Sequence, residues 1–107
     1  MKIDQDLYKK ISINNLILFC IYSVIEKKEK CVFDKLMKEC FVSFPKAFNF
    51  SNFPKWPDSR KLDRTLRSLR AKKLIKGSPQ TIFSLTNSGK KIAEETAKTF
   101  GQRKLQI

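Results

Sequence analysis

Apolar side chains recur at Ile13, Ile17, Ile21 and Val24, the spacing of one helix face, and Ser12 stands where an N-cap oxygen is needed. The pattern predicts a first helix from Ser12 to about Lys28. Leu16, Leu18, Phe19 and Ile25 put apolar surface outside that stripe, so this helix is expected to need more than one neighbour, either a C-terminal helix or a second subunit. Lys30-Cys31-Val32 reads as a brief strand. A second helix is expected from about Phe33 to Phe44, with Phe33, Leu36, Met37, Cys40 and Phe41 on one face and Pro45 just beyond its end. Lys46 to Pro57, with Phe48, Phe50, Phe53 and Trp56 among its residues and broken by Pro54 and Pro57, reads as a packed loop.

Asp58 or Ser59 can cap a third helix running to about Lys73. At about 100° per residue, Leu62, Leu66 and Leu69 point one way and Arg60, Arg64 and Arg67 almost opposite, with Lys61 and Ser68 flanking the arginines. Leu74-Ile75-Lys76 and Ile82-Phe83-Ser84-Leu85, separated by Gly77-Ser78-Pro79-Gln80-Thr81, predict a hairpin. Thr86 is a suitable cap for a last helix from about Asn87 to Phe100, with Gly101 stopping it. The expected fold is mainly α with a small β-hairpin, in a single domain spanning 1–107.

Composition adds a charge imbalance. Lys and Arg number 23 against 10 Asp and Glu, a formal net charge of +13, which suits a nucleic acid or another anionic surface. The stretch from Lys55 to Gly77 concentrates it. Three cysteines and no histidine leave no usual zinc ligand set within one chain, and the loosely spaced thiols are expected to be free, as in a reducing cytoplasm. Leu16 to Ile25 is too short for a membrane span and ends at Glu26-Lys27-Lys28-Glu29-Lys30. Without histidine or a glycine-rich phosphate loop, and with Glu94 and Glu95 diverging on a helix surface, the chain is not expected to be an enzyme or to carry a cofactor.

The segment Arg60-Lys-Leu-Asp-Arg-Thr-Leu-Arg-Ser-Leu-Arg-Ala-Lys-Lys-Leu-Ile-Lys-Gly77, followed by Phe83-Ser-Leu-Thr-Asn-Ser-Gly-Lys-Lys-Ile-Ala93, resembles the recognition helix, wing and closing helix of winged helix-turn-helix proteins, notably MarR- and PadR-type regulators. The resemblance covers roughly Lys30 to Ala97. It implies a three-helix core, a wing and a C-terminal helix, with double-stranded DNA as partner. One departure is the connection from Phe44 to Pro57, longer than the roughly 3–4 residues of a plain helix-turn-helix.

On that resemblance Arg60, Lys61 and Arg64 would meet base edges, since the start of a recognition helix meets them first, while Arg67, Ser68 and Lys72 would lie on phosphates. Lys76, Ser78, Gln80 and Thr81 of the wing turn offer a cation and small donors for the backbone or minor groove, although so short a hairpin could equally be only structural. The loop aromatics either pack beneath the loop or stack on exposed bases, with Trp56 the candidate for the second role. Three functions follow: a dimeric DNA-binding transcriptional regulator paired through the first helix, with Phe100 to Ile107 as a further candidate surface, a winged-helix docking module in a larger assembly, and an RNA or single-strand binder.

Overall fold

The computed structural model describes residues 8–49, 56–78 and 80–105, and for 101–105 the backbone course alone. Four helices and one hairpin make up the regular structure of these residues: α1 (Ile13–Glu26), α2 (Phe33–Ser43), α3 (Ser59–Ala71), β1 (Ile75–Lys76), β2 (Ser84–Leu85) and α4 (Asn87–Leu105). The fold is therefore mainly helical with a small two-stranded antiparallel sheet, in which Ile75 pairs with Leu85 and Lys76 with Ser84.

The predicted caps form. The Ser12 side chain accepts from the Asn15 N–H at 3.3 Å, and the Asp58 carboxylate accepts from the Lys61 N–H at 3.1 Å. Each bond satisfies a donor that the first helical turn leaves unpaired, and each contributes about 1 kcal/mol. At their C-termini α1 and α3 end in the same way. Lys28 and Lys73 both take a left-handed backbone with φ 60°. The following N–H groups, of Glu29 and Leu74, reach back to the carbonyls of Val24 and Leu69. This motif usually employs glycine. Lysine accepts the backbone cost and places its charge against the negative end of the helix dipole.

α1 lies at the centre. It packs most extensively on α4 and also touches α2, α3 and β2. Leu16, Ile17, Leu18, Cys20, Ile21 and Val24 are all buried. Most of the apolar excess that suggested a second subunit is thus covered within the chain, while Ile25 stays 40% exposed. Phe19, on the remaining side, meets Phe44 and Phe100 edge-on at 6.0 and 5.0 Å. Tyr8 closes this aromatic cluster against Phe44 at 5.0 Å. A full Phe side chain buried in this way stabilises by roughly 1.5–3 kcal/mol.

Three expectations are corrected. Lys30 to Val32 is not a strand; only the Cys31 carbonyl takes part in sheet-like pairing, accepting from the Phe83 N–H at 2.8 Å. The strands of the hairpin are two residues each, because Phe83 donates to Cys31 rather than across the hairpin. Gly101 does not stop α4, which continues to Leu105. A glycine inside a helix costs only about 1 kcal/mol, and the residues after it are good helix formers.

Of the loop aromatics among the described residues, Phe48 packs as the first reading had it, whereas Trp56 does not. Phe48 is fully buried, Asn49 pairs with Pro57, and the Asp58 N–H donates to the Phe48 carbonyl at 2.7 Å. Phe50 and Phe53 lie outside the described residues.

Cys20, Cys31 and Cys40 are buried and free. Burial first, and then the hydrogen bond to the Cys40 thiol, pushes the Cys20 thiol well above its ordinary value. Burial also pushes Cys31 up from 9.0 to about 12. Because all three thiols are buried, they should resist an aromatic disulfide reagent at pH 8 and react only as fast as the chain unfolds; rapid labelling in the native state would contradict this. The sign for stability follows. Neutral thiols favour the folded chain below pH 9.0, and that contribution is lost as pH rises from there towards about 12.

Candidate nucleic-acid interface

α3 is divided into a buried and a charged side. Leu62, Leu66 and Leu69 are in the core, whereas Arg60, Arg64, Arg67 and Ser68 are exposed. The three arginines follow one another at steps of four and three residues, so their side chains run along a single outward stripe. Within it, Arg67 pairs with Asp63 at 3.1 Å, Arg67 remaining 73% exposed and Asp63 only 31%. This pair orients Arg67 along the helix without removing it from the surface, and such exposed pairs contribute roughly 0–1 kcal/mol.

Two other basic residues of α3 are engaged by the protein itself. The Lys61 Nζ donates to the Ala47 carbonyl at 2.7 Å in a partly buried setting. On the opposite flank, Arg70 Nη1 donates to the Gly77 carbonyl at 2.8 Å. The helix is thus tied to the preceding loop on one side and to the hairpin on the other, with the arginine stripe between them.

Of the residues singled out from the sequence, Arg60, Arg64 and Arg67 come together on this stripe, Ser68 is exposed on its flank, and Lys72 is exposed just past the C-terminal end of the helix. Lys61 is not on the stripe. Lys76 is exposed on β1, opposite in sense to the buried Ile75. Gln80 and Thr81 are exposed at the hairpin turn, and Ser78 is half-buried. Ser78 and Thr81 satisfy each other: the Ser78 N–H donates to the Thr81 hydroxyl at 2.9 Å, and the Thr81 N–H donates to the Ser78 carbonyl at 3.0 Å. These two residues shape the turn, leaving Gln80 and Lys76 as its outward polar groups.

No protein-family model matches the chain, nor does any curated protein or solved structure. What the surface can do must be read from its own chemistry. Guanidinium groups stay charged at any physiological pH and present planar forks that match phosphate oxygens or the O6 and N7 of guanine. A helix bearing three of them along one edge can present them together to phosphates or base edges, and the hairpin is tied to its flank through Arg70.

Sequence reasoning missed Arg70 and Ile82. Arg70 sits on the flank of the helical wheel and had no visible partner, because the Gly77 carbonyl comes near only when the hairpin folds back. Ile82 is an apolar residue 48% exposed at the hairpin turn. Trp56, 59% exposed just before α3, remains at the surface, unlike Phe48. Among the described residues no group of His, Cys, Asp or Glu is arranged to hold a metal ion, and no helix is long and apolar enough to cross a membrane.

Proposed function

We propose that this chain is a winged helix-turn-helix protein that binds double-stranded DNA, α3 entering the major groove and the β1–β2 hairpin acting as its wing, and that it serves in the cytoplasm as a transcriptional regulator. The observation that carries the reading is the outward stripe of Arg60, Arg64 and Arg67, free of any covering element of the described chain and flanked by a hairpin tied to the same helix. The Cys31 carbonyl supports it further, since its bond to Phe83 gives the hairpin a third edge in the order expected of a winged helix. Three free buried thiols suit a reducing compartment.

In this reading affinity comes mainly from neutralising phosphates and releasing their counterions, with Lys72, Lys76 and Gln80 on the backbone or minor groove. Specificity comes from whichever arginines reach base edges. Of the apolar positions of α1 offered for a dimer with two half-sites, Ile25 stays exposed while Leu16, Ile17, Leu18, Ile21 and Val24 are covered within the chain. The docking-module alternative drew on the same apolar excess, of which Ile25 remains at the surface.

The test is fluorescence anisotropy of the purified protein with a random-sequence duplex and a matched single strand at two salt concentrations. Duplex binding that exceeds single-strand binding and falls steeply with salt is the expected result. Equal or stronger binding to the single strand would shift the reading to base stacking on Trp56. No binding to either at low salt would overturn the nucleic-acid reading.

A further inference from the structure

The hairpin is too short to hold itself. Two residue pairs do not make an independently stable ribbon in water, so its direction depends on what each end is fastened to. The inner end is well fastened. Ile75 and Phe83 are buried, the Phe83 N–H reaches the Cys31 carbonyl, and the Thr86 N–H reaches the Leu74 carbonyl at 3.1 Å.

The outer end is different. Among the described residues Ser78 and Thr81 bond to each other, and Ile82 is exposed. Among the described residues, the hydrogen bond that reaches from this end to another element is the one from Arg70 to the Gly77 carbonyl. That carbonyl is aimed by an unusual backbone. Gly77 has φ +109°, and a Cβ there would lie 2.3 Å from the Ile82 carbonyl oxygen, so only glycine fits the neck of the turn. A glycine that turns its carbonyl towards α3, and an arginine on α3 that meets it, form a two-part strut.

We propose that Arg70 is a positioning residue that sets the angle between the hairpin and α3, and that this fixed angle lets the protein prefer a rigid duplex over a single strand. The inference rests on the DNA-binding reading above. A duplex presents its groove and its flanking phosphates at a fixed separation. A surface made of two elements meets both at once only when the elements are held at a matching angle beforehand. A flexible strand adapts to either arrangement and gains nothing from the strut. Arg70 lies on the flank of α3, outside the Arg60, Arg64 and Arg67 stripe, and at the surface one of its guanidinium nitrogens is engaged by the Gly77 carbonyl.

Arg70→Lys tests the proposal because it keeps the charge and loses the planar fork that reaches Gly77. Two measurements are made on this variant: duplex and single-strand affinity by anisotropy at two salt concentrations, and amide hydrogen exchange of residues 80–82 in the free protein. The expected result is faster exchange at the turn. With it comes a loss of duplex affinity of about fivefold, the size of one hydrogen bond, with single-strand affinity and salt slope unchanged. Wild-type exchange rates together with an unchanged duplex preference would overturn the proposal. So would equal losses on both nucleic acids for Arg70→Ala with a salt slope lower by about one, because Arg70 would then be a phosphate contact. If the wild-type protein itself binds no duplex, the DNA reading fails and the duplex preference with it. The exchange rates then decide the strut alone: faster exchange in Arg70→Lys upholds it, and unchanged exchange sinks it.

Discussion

If the chain binds duplex DNA as proposed, replacing Arg60, Arg64 and Arg67 together by alanine is expected to lower duplex affinity by about two orders of magnitude while leaving the thermal midpoint nearly unchanged. At about 1 kcal/mol for each lost contact, three give roughly 3 kcal/mol, and a tenfold change corresponds to about 1.4 kcal/mol. Stability is spared because all three side chains are exposed and, among the described residues, the ion pair lost is the exposed Arg67–Asp63 pair. The salt dependence separates the roles. Each arginine that sits on a phosphate takes about 0.9 from the slope when removed, whereas a base reader alters discrimination between sequences. Arg64→Ala alone should weaken binding to a selected site more than to a random duplex. An equal loss on every sequence would make Arg64 a phosphate contact. A triple variant that binds duplex as tightly as the wild type would show that the stripe is not the interface.

Gly89→Ala should be the most damaging small substitution in the chain, lowering stability by about 3 kcal/mol or more in chemical unfolding. Gly89 is buried in the first turn of α4, and a Cβ at that position would stand 2.0 Å from the Leu74 carbonyl oxygen. The obstruction is backbone, so no side chain can swing aside. Relief would require moving the start of α4 away from the end of α3. That junction is held by Thr86, whose hydroxyl accepts from the Gly89 N–H at 3.2 Å and donates to the Lys73 carbonyl at 2.8 Å, and whose N–H donates to Leu74. Alanine usually favours a helix interior over glycine by roughly 1 kcal/mol, so a stabilised Gly89→Ala variant would refute the close approach.

These two predictions differ in how much of each was visible beforehand. The arginine stripe was legible because a helical wheel needs nothing but local spacing: the period that sends Leu62, Leu66 and Leu69 inward sends Arg60, Arg64 and Arg67 outward. The Thr86 cap was legible for the same reason. The need for glycine at position 89 was not, because its cause is a carbonyl fifteen residues earlier that arrives only when the hairpin closes. Lys61 and Arg70 illustrate the same limit. On the wheel they are two more cations beside the stripe. In the fold each finds a backbone oxygen, of Ala47 and Gly77, and becomes a tie between elements.

Sequence alone thus determined the helices, their caps and the sides on which they are apolar or basic, since these depend on interactions three or four residues apart. It determined the charge available to an anionic partner as well. The tertiary structure decided where the apolar surplus of α1 goes, that Cys31 contributes one carbonyl rather than a strand, and which basic residues stay free to meet a ligand. Those outcomes depend on pairs distant along the chain. A long flexible cation carries no local mark of whether a carbonyl of its own protein or a phosphate of another molecule will satisfy it.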